Sequence, residues 1–179
     1  MVYLFLADGF EEVEALTPLD MLRRAKIPVV SVGVGSNFPC GAHDIVVKAD
    51  ISEKDVNLDD MTALILPGGM PGTRNLENSE TVQKALAYAI EKGLFVAAIC
   101  AAPSVLGHKN YLQGKNATCF PGFEGDLYGA NVSNDSIVQD GYILTAKGAG
   151  VALDFALALV SALSTEEKSK EIRGAIQCL

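Results

Sequence analysis

The chain carries four short, almost wholly apolar runs, each stopped by a turn and separated from the next by enough residues for a helix or a crossover. They are residues 2–6 (before Asp8-Gly9), 29–34 (before Gly35-Ser36), 63–66 (before Pro67-Gly68-Gly69) and 94–99, which runs directly into Cys100. A strand that is apolar on both faces must be covered on both faces, which is the condition of strands in a parallel sheet flanked by helices. The pattern argues against an all-helical bundle and against an antiparallel sandwich with one wet face.

The segments between the runs supply the helices. One begins at about Glu11, with Val13, Leu16, Leu19 and Leu22 on one side and Arg23-Arg24 near its end. Pro18 cannot donate to the Glu14 carbonyl, so this helix is expected to kink or loosen beside Glu14. Residues 81–92 read as a helix closed by Gly93, and residues 101–106 as a short helix ended by Gly107. Residues 150–163 form a nearly all-apolar helix, buried by its own domain or partly by a second subunit. A polar helix follows, with Ser164 as cap and Glu167 as its reciprocal partner. Residues 45–48 read as a short edge or hairpin strand, 116–119 as another, and 136–138 with 142–146 as a hairpin around Gln139-Asp140-Gly141. No linker or repeat interrupts the 179 residues, which suit one domain, 1–179. The expected fold is α/β and flavodoxin-like, a mostly parallel central sheet with helices on both faces.

A net charge of −8, from 14 basic and 22 acidic residues, argues against nucleic acid or an anionic membrane as partner. The first residues lack a basic segment before a long apolar run, and the apolar stretch 151–163 is too short to span a bilayer. Cys40, Cys100, Cys119 and Cys178 show no CxxC spacing and no neighbouring histidines. That argues against a disulfide framework or a metal site and fits a reduced, cytoplasmic setting.

Ligands of an open parallel sheet bind outside the carboxyl ends of its strands. Three features of this chain fall there: Glu11 to Glu14, Gly68-Gly69 and Cys100. Passing from strand to helix in one residue at Cys100 requires small neighbours two positions either side, and Ala98 and Ala102 meet that need. A sulfur beside a helix N-terminus should have a depressed pKa, although a cysteine after an apolar strand can also be plain core. Amides of Gly69 and Ala101 could form an oxyanion pocket. Glu11 and Glu12 are accounted for by the helix dipole, whereas a buried Glu14 beside a thiolate would stay protonated and donate to it. His108 lies a short helix away from Cys100, roughly 12 Å of rise, too far for a direct dyad. His43 reads as a loop histidine that could also reach a site in its own or a neighbouring subunit.

Taken together these residues resemble the ThiJ/PfpI superfamily, in the branch containing the parkinsonism-associated protein and bacterial YajL. The resemblance runs through Gly9-x-Glu-Glu-x-Glu14, Thr17-Pro-Leu-Asp20, Arg23-Arg24, Leu66-Pro-Gly-Gly69, Ala97-Ala-Ile-Cys100-Ala and Ile143-Leu-Thr-Ala-Lys-Gly148. It implies a flavodoxin-like homodimer with Cys100 as the reactive cysteine, Glu14 as its protonated partner, and Gly69 and Ala101 as backbone donors. It also implies that Asp20 and Arg24 lie in the dimer-associated part of helix one, and His43 near a cross-subunit position. Two departures stand out. Ala101 replaces the histidine that follows the cysteine in PfpI-type peptidases, and Phe120 replaces a histidine of the animal branch.

The resemblance implies a stress-protective thiol protein acting on a small reactive aldehyde, glyoxalase- or deglycase-like, through a Cys100 hemithioacetal with no metal or organic cofactor. Two alternatives accompany it. In the first, an oxidant converts Cys100 to sulfinate and the protein is a redox sensor or redox-regulated chaperone. In the second it is an amidase or peptidase, which the absence of an adjacent histidine disfavours.

Overall fold

The structure is a computed structural model that describes residues 1–178. Its elements in chain order are β1 (Val2–Ala7), α1 (Glu12–Arg24), β2 (Val29–Val34), β3 (Ile51–Ser52), β4 (Ala63–Leu66), α2 (Gly72–Asn78), α3 (Glu80–Lys92) and β5 (Phe95–Ile99). There follow α4 (Pro103–His108), β6 (Asn116–Ala117), β7 (Asn131–Val132), β8 (Ile137–Asp140), β9 (Ile143–Ala146), α5 (Ala152–Leu163) and α6 (Glu166–Ala175). Seven strands form one sheet in the order β3-β2-β1-β4-β5-β9-β8, parallel except for the β8–β9 hairpin. This is the flavodoxin-like α/β fold.

Strand alternation divides the core. Val2, Leu4 and Leu6 of β1 point to the layer built with α1, α5 and α6, while Tyr3, Phe5 and Ala7 point to the layer built with α3 and α4. Every residue of β1, β4 and β9 is buried, as the unbroken apolar runs require. The carboxyl ends of β1, β4 and β5 are adjacent, so the residues that leave them converge on one crevice.

Several expectations are corrected. Residues 45–48 form no strand; Val46 makes a single bridge to Cys40, and the sheet edge is β3 instead. The loop before β3 is held by side chains rather than by a ladder: Asp8 accepts from the Cys40 N–H and Glu12 from the His43 N–H. Helix α4 starts at Pro103 and runs past Gly107 to His108. Gly107 ends nothing, because it is the point where α4 presses on the backbone of Asp126, 2.0 Å from where a Cβ would stand. Thr165, not Ser164, caps α6 by accepting from the Lys168 N–H. Residues 118 and 119 lie outside the short β6, which pairs with β7 in a separate two-stranded sheet. Helix α1 continues unbroken through Pro18, which costs it one hydrogen bond near mid-length while α5 supports it from the side. Glu14 therefore sits in an intact first turn rather than at a break.

Candidate active site

Three chain segments build the site. The first is the start of α1, where the Glu11 N–H donates to the Gly68 carbonyl (2.9 Å) and so joins the helix to the loop after β4. The second is that loop. The Gly68 N–H donates to Glu14 Oε2 at 2.9 Å, and a Cβ on Gly68 would lie 2.6 Å from Cys100 Cβ and 2.7 Å from Glu14 Oε2. Only glycine allows the three residues to meet.

The third segment is the strand-to-helix turn itself. Cys100 adopts φ 65°, the left-handed region that side chains with a Cβ seldom occupy. Strain of this kind costs on the order of 1 kcal/mol and persists only when the surroundings over-determine it. They do so here. The Cys100 N–H donates to the Ala146 carbonyl at 2.9 Å, and the Cys100 carbonyl accepts from the Phe120 N–H at 2.8 Å. Ala98 and Ala102 are fully buried on either side, as the small-residue requirement predicted.

The electrostatics of the pair differ from the sequence-based expectation in one respect. Glu14, 1% exposed, has its carboxyl pushed up to about 7 by burial, against the opposing effect of hydrogen bonds from Cys100 and Gly68. The carboxyl thus keeps its proton until close to neutral pH. The Cys100 thiol, however, is not depressed. Burial, the charge of Glu14 and its hydrogen bond push it up to about 12, and the amides of Gly69 and Ala101 only partly oppose this. The physical reasons are burial first and then the proximity of Glu14. Helix α4 has six residues and a correspondingly small dipole, whereas a carboxylate is in direct contact with the sulfur. Two acids in contact lose their protons in separate steps that belong to the pair. The site holds two protons below about pH 7 and one proton over a broad range above it.

The structure thus brings Glu14, Cys100, Gly69 and Ala101 together and adds Gly68 and the Ala149 backbone, which also contacts Glu14. Gly68 was visible in the sequence only as half of a glycine pair. His43 does not join them within its own chain. Its Nδ1 lies 2.8 Å from Glu12 Oε2 and 3.4 Å from Glu11 Oε2, and its side chain is mostly exposed. Among the described residues, Glu11, Glu12 and His43 form a cluster with metal-ligand spacing, their ligand atoms within 4.8 Å of one another. The Glu12–His43 ion pair accounts for that geometry by itself. His108 pairs with Glu77 and faces Asp126. Asp20 and Arg24 pair with each other across one turn on the exposed side of α1.

A flavodoxin-like domain with a cysteine at a strained strand-to-helix turn, held against a buried glutamic acid, defines a class of cysteine-centred proteins. The chain belongs to the DJ-1/PfpI family, whose model matches residues 1–162. Protein DJ-1alpha of Drosophila melanogaster is 35% identical over 178 residues, covering 97% of this chain and 82% of the fly protein. A protein of Pyrococcus abyssi named a deglycase is 31% identical over 151 residues, covering 83% of this chain and 90% of its own length. Among solved structures, oxidized DJ-1 of Toxoplasma gondii superposes with a TM-score of 0.94 at 30% identity, covering 98% of this chain and 97% of that one.

Proposed function

We propose that the protein is a stress-protective thiol enzyme acting on small reactive carbonyls, with Cys100 as nucleophile and Glu14 as proton shuttle. The observation that carries this reading is the contact between the Cys100 thiol and a buried carboxyl group that changes protonation near pH 7. With a 2-oxoaldehyde, the Cys100 sulfur adds to the aldehyde carbon while the thiol proton passes through Glu14 to the new alkoxide. The amides of Gly69 and Ala101 hold that oxygen as it gains charge. Glu14 then takes the proton from the same carbon and returns it to the neighbouring one, while the hydroxyl proton passes to the neighbouring carbonyl oxygen, which leaves a thioester bearing a 2-hydroxyl group. Water cleaves the thioester, releasing a 2-hydroxy acid and the free thiol. The sum is one 2-oxoaldehyde and one water giving one hydroxy acid, with no external oxidant or reductant. The deglycase name of the Pyrococcus relative supports carbonyl chemistry of this kind.

The test is methylglyoxal consumption with chiral detection of the hydroxy acid. Wild type should turn over, Cys100→Ser should not, and Glu14→Gln should bind but turn over poorly. Equal rates for wild type and Glu14→Gln would refute the shuttle.

A second reading is a redox sensor or redox-regulated chaperone. It is favoured by the same neutral carboxyl, which can donate a hydrogen bond to an oxidised sulfur, and by the oxidized state in which the Toxoplasma relative was solved. Two equivalents of peroxide would convert the thiol to sulfinic acid with release of two waters. Peroxide-treated protein should gain two oxygens on the Cys100 peptide; an unmodified peptide would rule this reading out. The peptidase reading has no such support, because both histidines are engaged by carboxylates away from the sulfur.

We place the protein in the cytoplasm as a homodimer. All four cysteines are free thiols, as a reducing compartment requires, and no helix among the described residues is long and apolar enough to cross a membrane. The exposed Val13, Asp20 and Arg24 of α1 offer the face for a second copy. Sedimentation at micromolar concentration, with Arg24→Glu as a weakened variant, tests that assembly.

A further inference from the structure

Beside the reacting pair lies an open cleft of about 300 Å³ that the mechanism above does not use. Phe120, Pro121, Ala149 and Val151 give it apolar walls, with Ser136 and Lys147 at its polar edge. The Lys147 ammonium is engaged, donating to the Asn134 carbonyl at 2.6 Å. The cleft borders the site at Gly148 and at Ala149, whose backbone touches Glu14. A Cβ on Gly148 would lie 3.2 Å from Phe120 Cδ2 and 3.6 Å from Glu14 Oε1, so this glycine lets the Phe120 ring come close to the Glu14 carboxyl. The two oxygens of Glu14 therefore face different ways: Oε2 toward Gly68 and the sulfur, Oε1 toward the mouth of the cleft. Phe120 is 47% exposed although its backbone is fixed by the bond to the Cys100 carbonyl. A large aromatic side chain held at the rim of a reactive centre, half its surface uncovered, is a contact surface for whatever reaches the sulfur.

We infer that the Phe120 cleft is the specificity subsite of this thiol, selecting carbonyl compounds whose reacting group carries an aryl or bulky apolar substituent over those carrying a methyl group. The inference rests on the carbonyl reading only for the name of the reacting group. A molecule attached at Cys100 has its substituent either in solvent or along Gly148 against the Phe120 ring, and the second arrangement buries apolar surface. A flat ring can stack on Phe120, with the Lys147 ammonium held at the edge by the Asn134 carbonyl.

Two arms separate this inference from the proposed activity. The first needs no turnover. The rates at which iodoacetamide and its N-phenyl analogue alkylate the Cys100 peptide are measured by mass spectrometry and divided by their rates with N-acetylcysteine. Wild type should favour the phenyl reagent by about three- to ten-fold, the span expected of one aromatic contact. Phe120→Tyr should keep the preference and Phe120→Ala should bring it to about one, with iodoacetamide reacting at an unchanged rate. A wild-type ratio equal to that of N-acetylcysteine, or a preference that survives Phe120→Ala, would overturn the subsite. The second arm compares kcat/KM for phenylglyoxal and methylglyoxal. The ratio of phenylglyoxal to methylglyoxal kcat/KM should fall in Phe120→Ala, and an unchanged ratio would overturn the subsite. If neither aldehyde is consumed but the alkylation preference holds, the subsite stands and the carbonyl activity falls.

Discussion

Glu12 and Glu14 leave the same first turn of α1, are almost equally buried at 5% and 1% exposure, and titrate in opposite directions. Burial raises both. At Glu12 it is outweighed by hydrogen bonds from the His43 ring and the His43 backbone, so the carboxylate is held below its ordinary range. At Glu14 the partners are one amide and a thiol that is itself an acid, and burial prevails. The neighbouring charge of Glu11 adds to the effect. Two residues apart, one carboxylate serves as an anchor for a loop and the other as a proton store for a sulfur. What separates them is the identity of their partners together with the deeper desolvation of the Glu14 carboxyl.

The sharpest way to break this contrast is at the sulfur. Cys100→Ser should abolish methylglyoxal turnover, a loss exceeding that of any other substitution, since a serine hydroxyl there has no base strong enough to activate it. Glu14→Gln keeps the shape and accepts from Gly68 but cannot move a proton, and should lower kcat by about 10²- to 10⁴-fold with little change in KM. The same variant should be the more stable one at alkaline pH. A group whose folded pKa lies near 7 against an ordinary 4.5 binds its proton more tightly when folded. The folded state thus loses stability as pH rises from 4.5 through 7, on the order of 2–3 kcal/mol for this shift. Urea unfolding of wild type and Glu14→Gln should coincide near pH 4.5 and diverge by that amount at pH 8.

On the other side of the contrast, Glu12→Ala should cost about 1.5–3 kcal/mol, the range for a hydrogen bond to a charged group. It should also speed amide exchange in the loop that carries His43 while leaving alkylation of Cys100 unchanged. The Glu12–His43 pair is complete between the lowered carboxylate pKa and the raised imidazole pKa, so that loop should loosen as pH rises through the histidine. Loss of Cys100 reactivity in Glu12→Ala would show that the anchor and the proton store are not independent.

Much of this was legible in the residues. Apolar runs at residues 2–6, 63–66 and 94–99 specify buried parallel strands because nothing polar interrupts them, and adjacent carboxyl ends follow from the topology. The turn at Cys100 was readable from Ala98 and Ala102, since a tight strand-to-helix turn leaves no room for larger side chains. The direction of the thiol's pKa was not. A helix N-terminus is a local feature visible in sequence, but the contact with Glu14 spans 86 positions and depends on Gly68 admitting both side chains. The loop before β3 was misread for a related reason. Ile45 and Val46 look like strand residues, but side chains of Asp8 and Glu12 claim that loop's backbone donors. At α6 the choice between adjacent Ser164 and Thr165 as cap turns on one residue of register, which two hydroxyl residues in a row leave open.

The claim that Glu14 and Cys100 share one proton is tested most directly by the pH dependence of Cys100 alkylation by iodoacetamide in wild type and Glu14→Gln. The shared proton predicts a wild-type rate that rises through a single step near pH 7 and then levels off. In Glu14→Gln that step should vanish, leaving a rise only at alkaline pH, where a half-buried thiol without a proton acceptor ionises. Superimposable profiles for the two proteins would contradict the account.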